Sequence, residues 1–249
     1  MRRVKLVIQY EGTHYSGWQR QPGANTVQGE LEKALRELTQ EAIETFGASR
    51  TDAGVHALGQ VAHFDDAGKF PIERYQPALN ALLPEDIGVL SAQEVSQNFH
   101  ARFDPVKKWY RYYIYVGKEK PIFQRRTAIQ IRAPLNIEAM QKAGAYLVGT
   151  HDVTSFKSLT PDNQEKDSVR TLFRVDVKKE EAMVIVDIEG DGFLYKMVRG
   201  IVGTLLEVGK GKETPEWVKT VLEARDRQKA GANLPPEGLF LMEIFYKKG

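Results

Sequence analysis

The pattern of apolar and polar positions divides the chain into short strands and helices. Apolar residues run through Val4–Tyr10, broken only by Lys5 and Gln9, and predict an opening strand. A glycine-punctuated loop carrying aromatics and amides follows over Glu11–Gly23. Val27, Leu31, Leu35 and Leu38 then recur at helical spacing, with Glu30, Glu32, Lys33 and Arg36 facing out, and Asn25-Thr26-Val27-Gln28 resembles a capping box. Leu58–Phe64 reads as a strand, Glu73–Leu83 as a helix stopped by Pro84, and Ile87–Val95 as another strand. The first half is therefore β-loop-α-β-α-β, an α+β pattern with helices on one sheet face.

Asn98–Pro105 marks the expected boundary, giving an N-terminal α+β domain over 1–104 and a C-terminal one over 105–249. The second half roughly repeats the plan. An aromatic strand around Trp109–Tyr115 and another near Thr127–Arg132 precede a helix over Ile137–Leu147, whose apolar stripe is Ala139, Met140, Ala143, Tyr146 and Leu147. A long loop is expected from Gly149 to about Ser168, polar and mobile over 159–167. Arg170–Lys178 and Met183–Glu189 read as a hairpin around Lys179-Glu180-Glu181. The run Gly190–Leu205 is apolar nearly all round and predicts a buried helix, with Lys196 and Arg199 three apart on one face. A helix over Glu216–Ala224 and a strand over Leu239–Tyr246 follow.

Between the first helix and the strand at Leu58 lies Ala48-Ser49-Arg50-Thr51-Asp52-Ala53-Gly54-Val55-His56-Ala57, which has neither helical nor strand periodicity. Gly54 can take a positive φ without steric cost, so the segment reads as a tight loop presenting short side chains at a strand end. Such loops are where chemistry tends to sit, and Asp52 is the candidate catalytic group. The plainer alternative is that Asp52 closes an Asx-turn while Arg50 is a solvated surface charge.

Composition narrows the chemistry. The chain has 249 residues, 42% of them hydrophobic, enough to bury a full core. No run of eighteen apolar residues occurs and the first ten residues lack a signal-peptide core, so a soluble, cytoplasmic protein with no membrane partner is expected. With no cysteine, a disulfide framework, a thiolate nucleophile and cysteine-bound metal are excluded. The five histidines, His14, His56, His63, His100 and His151, have no metal-ligand spacing, and no metal is expected.

The net charge of +2 is too small to argue for nucleic acid, but it is unevenly spread. Between Pro105 and Arg132 the cations Lys107, Lys108, Arg111, Lys118, Lys120, Arg125, Arg126 and Arg132 face a single acid, Glu119. Interleaved with them is Trp109-Tyr110-Arg111-Tyr112-Tyr113-Ile114-Tyr115. A basic aromatic strand suits a phosphate backbone and exposed bases. It equally suits a strand with alternate aromatics in two packing layers.

The chain resembles the TruA family of tRNA pseudouridine synthases over nearly its whole length. The resemblance rests on Tyr10-Glu11-Gly12-Thr13, Gly17-Trp18-Gln19, Thr26-Val27-Gln28, the Arg50–Ala57 loop, Ala78–Pro84, Phe99-His100-Ala101-Arg102-Phe103, Lys108–Tyr112, His151–Phe156 and Phe193–Arg199, which follow in family order. It implies an α+β pseudouridine-synthase fold of two similar halves, each a mainly antiparallel sheet covered by helices, with a central catalytic cleft. It also implies a homodimer, no cofactor, and tRNA as partner through its anticodon stem-loop, with uridines 38–40 as substrate. By this resemblance Asp52 is the catalytic aspartate, Tyr110 stacks on the target base, and Arg199 partners Asp52. Arg50, in the same loop, is then expected on the RNA backbone. Ser49 departs from the glycine common at that position in the family.

The chemistry agrees with these residues. Converting uridine to pseudouridine breaks the bond from N1 to the ribose and rejoins the ring through C5, an isomerisation that needs no redox group. Glycosidases generally use two carboxylates, one to protonate a departing group. Here the base never departs, and one ionised aspartate suffices. A nucleosidase would need a second acid, for which Asp65, Asp66 and Asp104 sit in no recognisable arrangement. A non-catalytic RNA-binding module would leave Asp52 without a task.

Overall fold

The computed structural model describes residues 1–158 and 167–247, so residues 159–166 of the polar stretch expected over 159–167 lie outside the described residues. Two compact units emerge: Met1–Val106 with Phe240–Gly249, and Lys107–Leu239. The C-terminal strand thus groups with the N-terminal unit, not with the residues that precede it.

In the first unit, strand β1 (Arg2–Tyr10) buries Val4, Leu6, Ile8 and Tyr10, one residue in two, as a strand with one face on a core must. Helix α1 (Val27–Thr39) sends Val27, Leu31, Ala34 and Leu35 into that core. Its N-cap is Thr26, whose hydroxyl accepts from the Gly29 amide at 3.2 Å. The expected capping box does not form: the Gln28 side chain turns inward and donates to the Thr45 carbonyl at 2.8 Å. Glu32, expected to face out, is buried. Its carboxylate accepts from the Thr45 main-chain amide at 3.0 Å and the Gln28 side-chain amide at 3.1 Å, and Arg20 pairs with it at 3.2 Å. With that many donors a buried carboxylate is tolerated.

The two-residue β2 (Phe46–Gly47) leads to the catalytic-loop candidate and then to β3 (His56–Asp66), longer than expected at both ends. A single 3-10 turn, Ile72–Arg74, occupies what the sequence suggested as the first turn of a helix, and α2 proper covers Tyr75–Leu82. Strand β4 (Ile87–Val95) matches its expected span. β1 pairs antiparallel with β3 and with β4, and β2 pairs antiparallel with β3.

The second unit is built on β5 (Pro105–Val116), with β6 (Ile129–Ile131) parallel to it. Helix α3 (Ile137–Ala145) is capped by Asn136, which accepts from the Ala139 amide at 3.0 Å. The segment expected as loop begins instead with a strand, β7 (Gly149–Asp152), and a 3-10 turn over Thr154–Phe156. The hairpin β8 (Val169–Glu180) and β9 (Met183–Gly190) forms as expected, β8 lying between β7 and β9 and β9 pairing antiparallel with β5. Helix α4 (Met197–Gly209) is buried nearly all round, and α5 (Trp217–Ala224) follows. Finally β10 (Leu239–Tyr246) returns to the first unit, where Phe240 and Leu241 run parallel beside His56 and Ala57 of β3. Each unit is a mainly antiparallel sheet with helices, an α+β fold. No helix among the described residues is long and apolar enough to cross a membrane.

Candidate active site

The loop between β2 and β3 is fixed from both sides. The Ala48 amide donates to the Val61 carbonyl at 2.8 Å. Gln60, fully buried in β3, reaches Ser49 twice: its side-chain oxygen accepts from the Ser49 amide at 3.2 Å and its nitrogen donates to the Ser49 carbonyl at 2.7 Å. Two residues on, the Thr51 hydroxyl meets the Tyr10 hydroxyl at 2.7 Å, and the Thr51 carbonyl accepts from the Trp18 amide at 3.1 Å. Arg50, held between these anchors, is exposed.

The next four residues form a turn. The Val55 amide donates to the Asp52 carbonyl at 3.1 Å, and Gly54 has φ +77°, the value that the third position of a type II turn demands. An L side chain there would be strained, so the glycine is a requirement of this backbone. Its amide also donates to the Tyr15 carbonyl at 3.2 Å, tying the turn to the Glu11–Gly23 segment. Asp52 opens the turn, half-buried, with its backbone set by neighbours that are themselves bonded to rigid strands.

In the second unit, Tyr110 lies on the buried face of β5 with Tyr112 and Ile114. Phe193 packs edge-on to its ring, with centroids 5.0 Å apart. Arg199 sits in the first turn of α4, where its Nε donates to the Leu234 carbonyl at 2.6 Å. That carbonyl is in reach because α4 lies directly on the preceding residues: a Cβ at Gly203 would overlap the Ala232 carbonyl oxygen. Tyr112 donates to the Pro235 carbonyl at 2.6 Å. Burial pushes its hydroxyl pKa well up, the Glu237 charge adds to the shift, and nearby Arg199 opposes it.

Lys196 is not on the face of α4 with Arg199. It precedes the helix in a left-handed conformation, φ +59°, with its ammonium 4.8 Å above the Tyr195 ring. A helix that begins at Met197 has no register to share with it.

The basic aromatic strand divides in the way of a two-layer strand. Arg111 makes a bidentate pair with Asp187, at 2.8 and 2.9 Å, and lies over the Trp109 ring at 5.0 Å. The indole of Trp109 donates to the same carboxylate at 2.7 Å, and Lys107 pairs with Glu189 at 2.6 Å. The Asp187 hydrogen bond raises the Arg111 pKa, so the guanidinium is permanently charged and permanently engaged. These two cations hold β5 to β9. Arg225 likewise pairs with Asp152 at 3.2 Å, and Arg227 donates to the Gly231 carbonyl at 2.8 Å. Lys118, Lys120, Arg125, Arg126 and Arg132 are exposed.

Sequence reasoning missed the groups that hold these side chains: Gln60, Tyr10, Leu234 and Asp187. Two of them left a signal. Gln60 interrupts the apolar run of β3, and Asp187 interrupts Val184-Ile185-Val186, and a polar residue in such a run needs a partner. Among the described residues no group of three His, Asp or Glu is arranged to hold a metal ion.

A family profile described as tRNA pseudouridine synthase matches residues 6–104 and 143–247. Among curated relatives, tRNA pseudouridine synthase A of Acetivibrio thermocellus is 46% identical over 99% of this chain and 100% of its own length. The Brevibacillus brevis protein of that name is 48% identical over the same shares, and the Bacillus subtilis one 46% identical over 98% and 99%. The chain belongs to the tRNA pseudouridine synthase family, enzymes that isomerise uridine to pseudouridine. A solved H/ACA ribonucleoprotein bound to a substrate RNA contains a chain that this one matches at 10% identity and a TM-score of 0.40. The match covers 82% of this chain and only 44% of that one, and adds nothing to the assignment.

Proposed function

We propose that this chain converts uridines 38–40, on the 3′ side of the tRNA anticodon arm, to pseudouridine, with Asp52 as its catalytic carboxylate. The observation that carries the reading is the Asp52 loop. Its main chain and the Thr51 hydroxyl are bonded to strands and to the Glu11–Gly23 segment, which fixes the backbone from which the carboxylate is presented. Preorganisation of that kind is what a reaction dependent on one well-placed charge requires.

The Asp52 carboxylate can attack ribose C1′, attack C6 of the base, or remove a ribose proton. Each route frees N1 from the ribose, lets the uracil turn, and forms the bond from C1′ to C5 with loss of the C5 proton. In this reading Tyr110 stacks on the target base, Arg199 supplies the positive charge that offsets Asp52, and Arg50, exposed beside it, meets the RNA backbone. No cofactor takes part, and the working form is a homodimer.

Asp52→Asn keeps the shape and removes the charge. It is expected to fold and bind tRNA normally and to form no pseudouridine. The assay is release of tritium to water from tRNA labelled at uridine C5. Release by the variant near the wild-type rate would overturn the assignment of Asp52.

A further inference from the structure

The segment Phe99-His100-Ala101-Arg102-Phe103 has no part in the chemistry above, yet its rings are arranged with unusual care. His63, buried in β3, accepts from the Ala101 amide through Nδ1 at 3.1 Å. The His100 ring meets it edge-on, at 68° with centroids 4.7 Å apart, and its own Nδ1 accepts from the Arg102 amide at 3.1 Å. Phe103 lies 4.3 Å from His100 on the outer side. Phe46, the residue that begins β2, stacks on His63 at 5.1 Å and approaches His100 at 5.8 Å.

The outermost rings are open to solvent, Phe103 at 72% and Phe46 at 43%, and the exposed Arg102 guanidinium lies 5.6 Å over the Phe103 ring. One exposed phenylalanine needs no explanation. Two that extend the buried His63 ring and the half-buried His100 ring, on a loop pinned by main-chain and side-chain bonds, form a rigid aromatic surface. The loop is further fixed by the His100 amide donating to Asp104 at 2.6 Å and the Ala101 carbonyl accepting from Tyr246 at 2.8 Å. Burial, the neighbouring His100 and Arg3 push the His63 pKa down, and burial does the same to His100, so both imidazoles are neutral at pH 7.

We infer that Phe46, His100 and Phe103, with Arg102 beside them, form a second RNA contact on the first unit, on which an unpaired base of the substrate tRNA stacks while Arg102 meets the adjoining phosphate. The chemistry is that of single-strand recognition: an aromatic face accepts any base, and an arginine next to it meets the phosphate that a strand carries beside each base. Phe46 also begins the two-residue strand that feeds the Asp52 loop, so a base held here is coupled through Gly47 to the backbone that presents the carboxylate. The contact rests on the tRNA reading above and acts in positioning the substrate, not in catalysis.

The test measures tRNA affinity and steady-state tritium release for Phe103→Ala, Phe103→Trp, and Phe46→Ala with Phe103→Ala. Phe103 is mostly exposed, so its substitution leaves the melting temperature unchanged. The expected result is a rise of about tenfold in Kd and KM for Phe103→Ala with kcat kept, a larger rise for the double variant, and wild-type values for Phe103→Trp. Wild-type Kd and KM in both alanine variants overturn the inference. So does a change of oligomeric state with unchanged tRNA affinity, which would make the patch a contact between copies of the chain. Failure of the wild-type protein to form pseudouridine would instead overturn the proposed function.

Discussion

Replacing Gln60 by leucine tests whether the Asp52 loop is held where the structure places it. The side chains are similar in volume, and the site is fully buried, so the change is chiefly one of hydrogen bonding. Leucine leaves the amide and carbonyl of Ser49 without the partners they have at 3.2 and 2.7 Å. A buried main-chain group that loses its partner costs about 1–3 kcal/mol. Ser49 is only half-buried and water recovers part of the loss, so the sum lies near the low end, about 2 kcal/mol. For a chain of this size that corresponds to a fall in Tm of about 4–8 °C. On the proposed role of Asp52 the effect on turnover exceeds the effect on stability, because displacing a reacting group by about 1 Å can cost on the order of a hundredfold in rate. Thermal melts and C5-tritium release from tRNA, measured on the same preparation, should show a modest loss of Tm, nearly unchanged tRNA affinity, and kcat reduced at least about tenfold. A Gln60→Leu protein with wild-type Tm and wild-type turnover would refute the view that this amide positions the loop.

Other perturbations address the remaining groups. Tyr110→Phe keeps the ring and should bind tRNA as the wild type does, whereas Tyr110→Ala should lose about 1–3 kcal/mol of base stacking in filter binding. Normal affinity in the alanine variant would remove Tyr110 from the base-binding role. Reversing the charge of the exposed Lys118 and Lys120 to glutamate should lower tRNA affinity and flatten its salt dependence, by roughly 0.7–0.9 in the log–log slope for each phosphate that is no longer neutralised; an unchanged slope would place the RNA elsewhere. His63 gives a pH dependence. Burial, with His100 and Arg3, moves its pKa from 6.5 to about 4, so the folded state binds its proton less readily than the unfolded state. Its contribution is fully present above about 6.5 and is lost as pH falls toward about 4, by at most about 3 kcal/mol. Melting curves between pH 7 and pH 4 should fall more steeply for the wild type than for His63→Gln, and parallel curves would contradict this.

What the sequence discloses and what it withholds follow from the range of the forces involved. Helix α1, the β8–β9 hairpin and the strand at Leu239–Tyr246 depend on local periodicity and turn residues, and their positions are readable from the chain alone. The partner of β10 is not, because its pattern says only that it is a strand, and its pairing with β3 joins residues at opposite ends of the sequence. Side-chain direction is withheld for a similar reason. Glu32 reads as an outward charge until Thr45, Gln28 and Arg20 are brought around it. Arg111 reads as a phosphate ligand until Asp187 is placed beside it by strand pairing. At the candidate site, the Asp52-Ala53-Gly54 turn is legible because Gly54 carries its own conformational signature. The Gln60 anchor is hidden, since nothing in the spacing of residues 49 and 60 states that they meet.

The return of β10 to the first unit bears on how the chain is made. Residues 240–246 leave the ribosome only after the whole of Lys107–Leu239 has been synthesised, so during translation β3 exposes the edge at His56 and Ala57 that β10 later covers. Those two residues follow directly on the Asp52 turn. The N-terminal unit, although first out, therefore cannot complete its sheet before its neighbour exists, and its final pairing is a contact of high sequence separation, the kind that forms slowly. A nascent chain released early would hold every element of the Asp52 loop and still lack the strand that closes the sheet behind it.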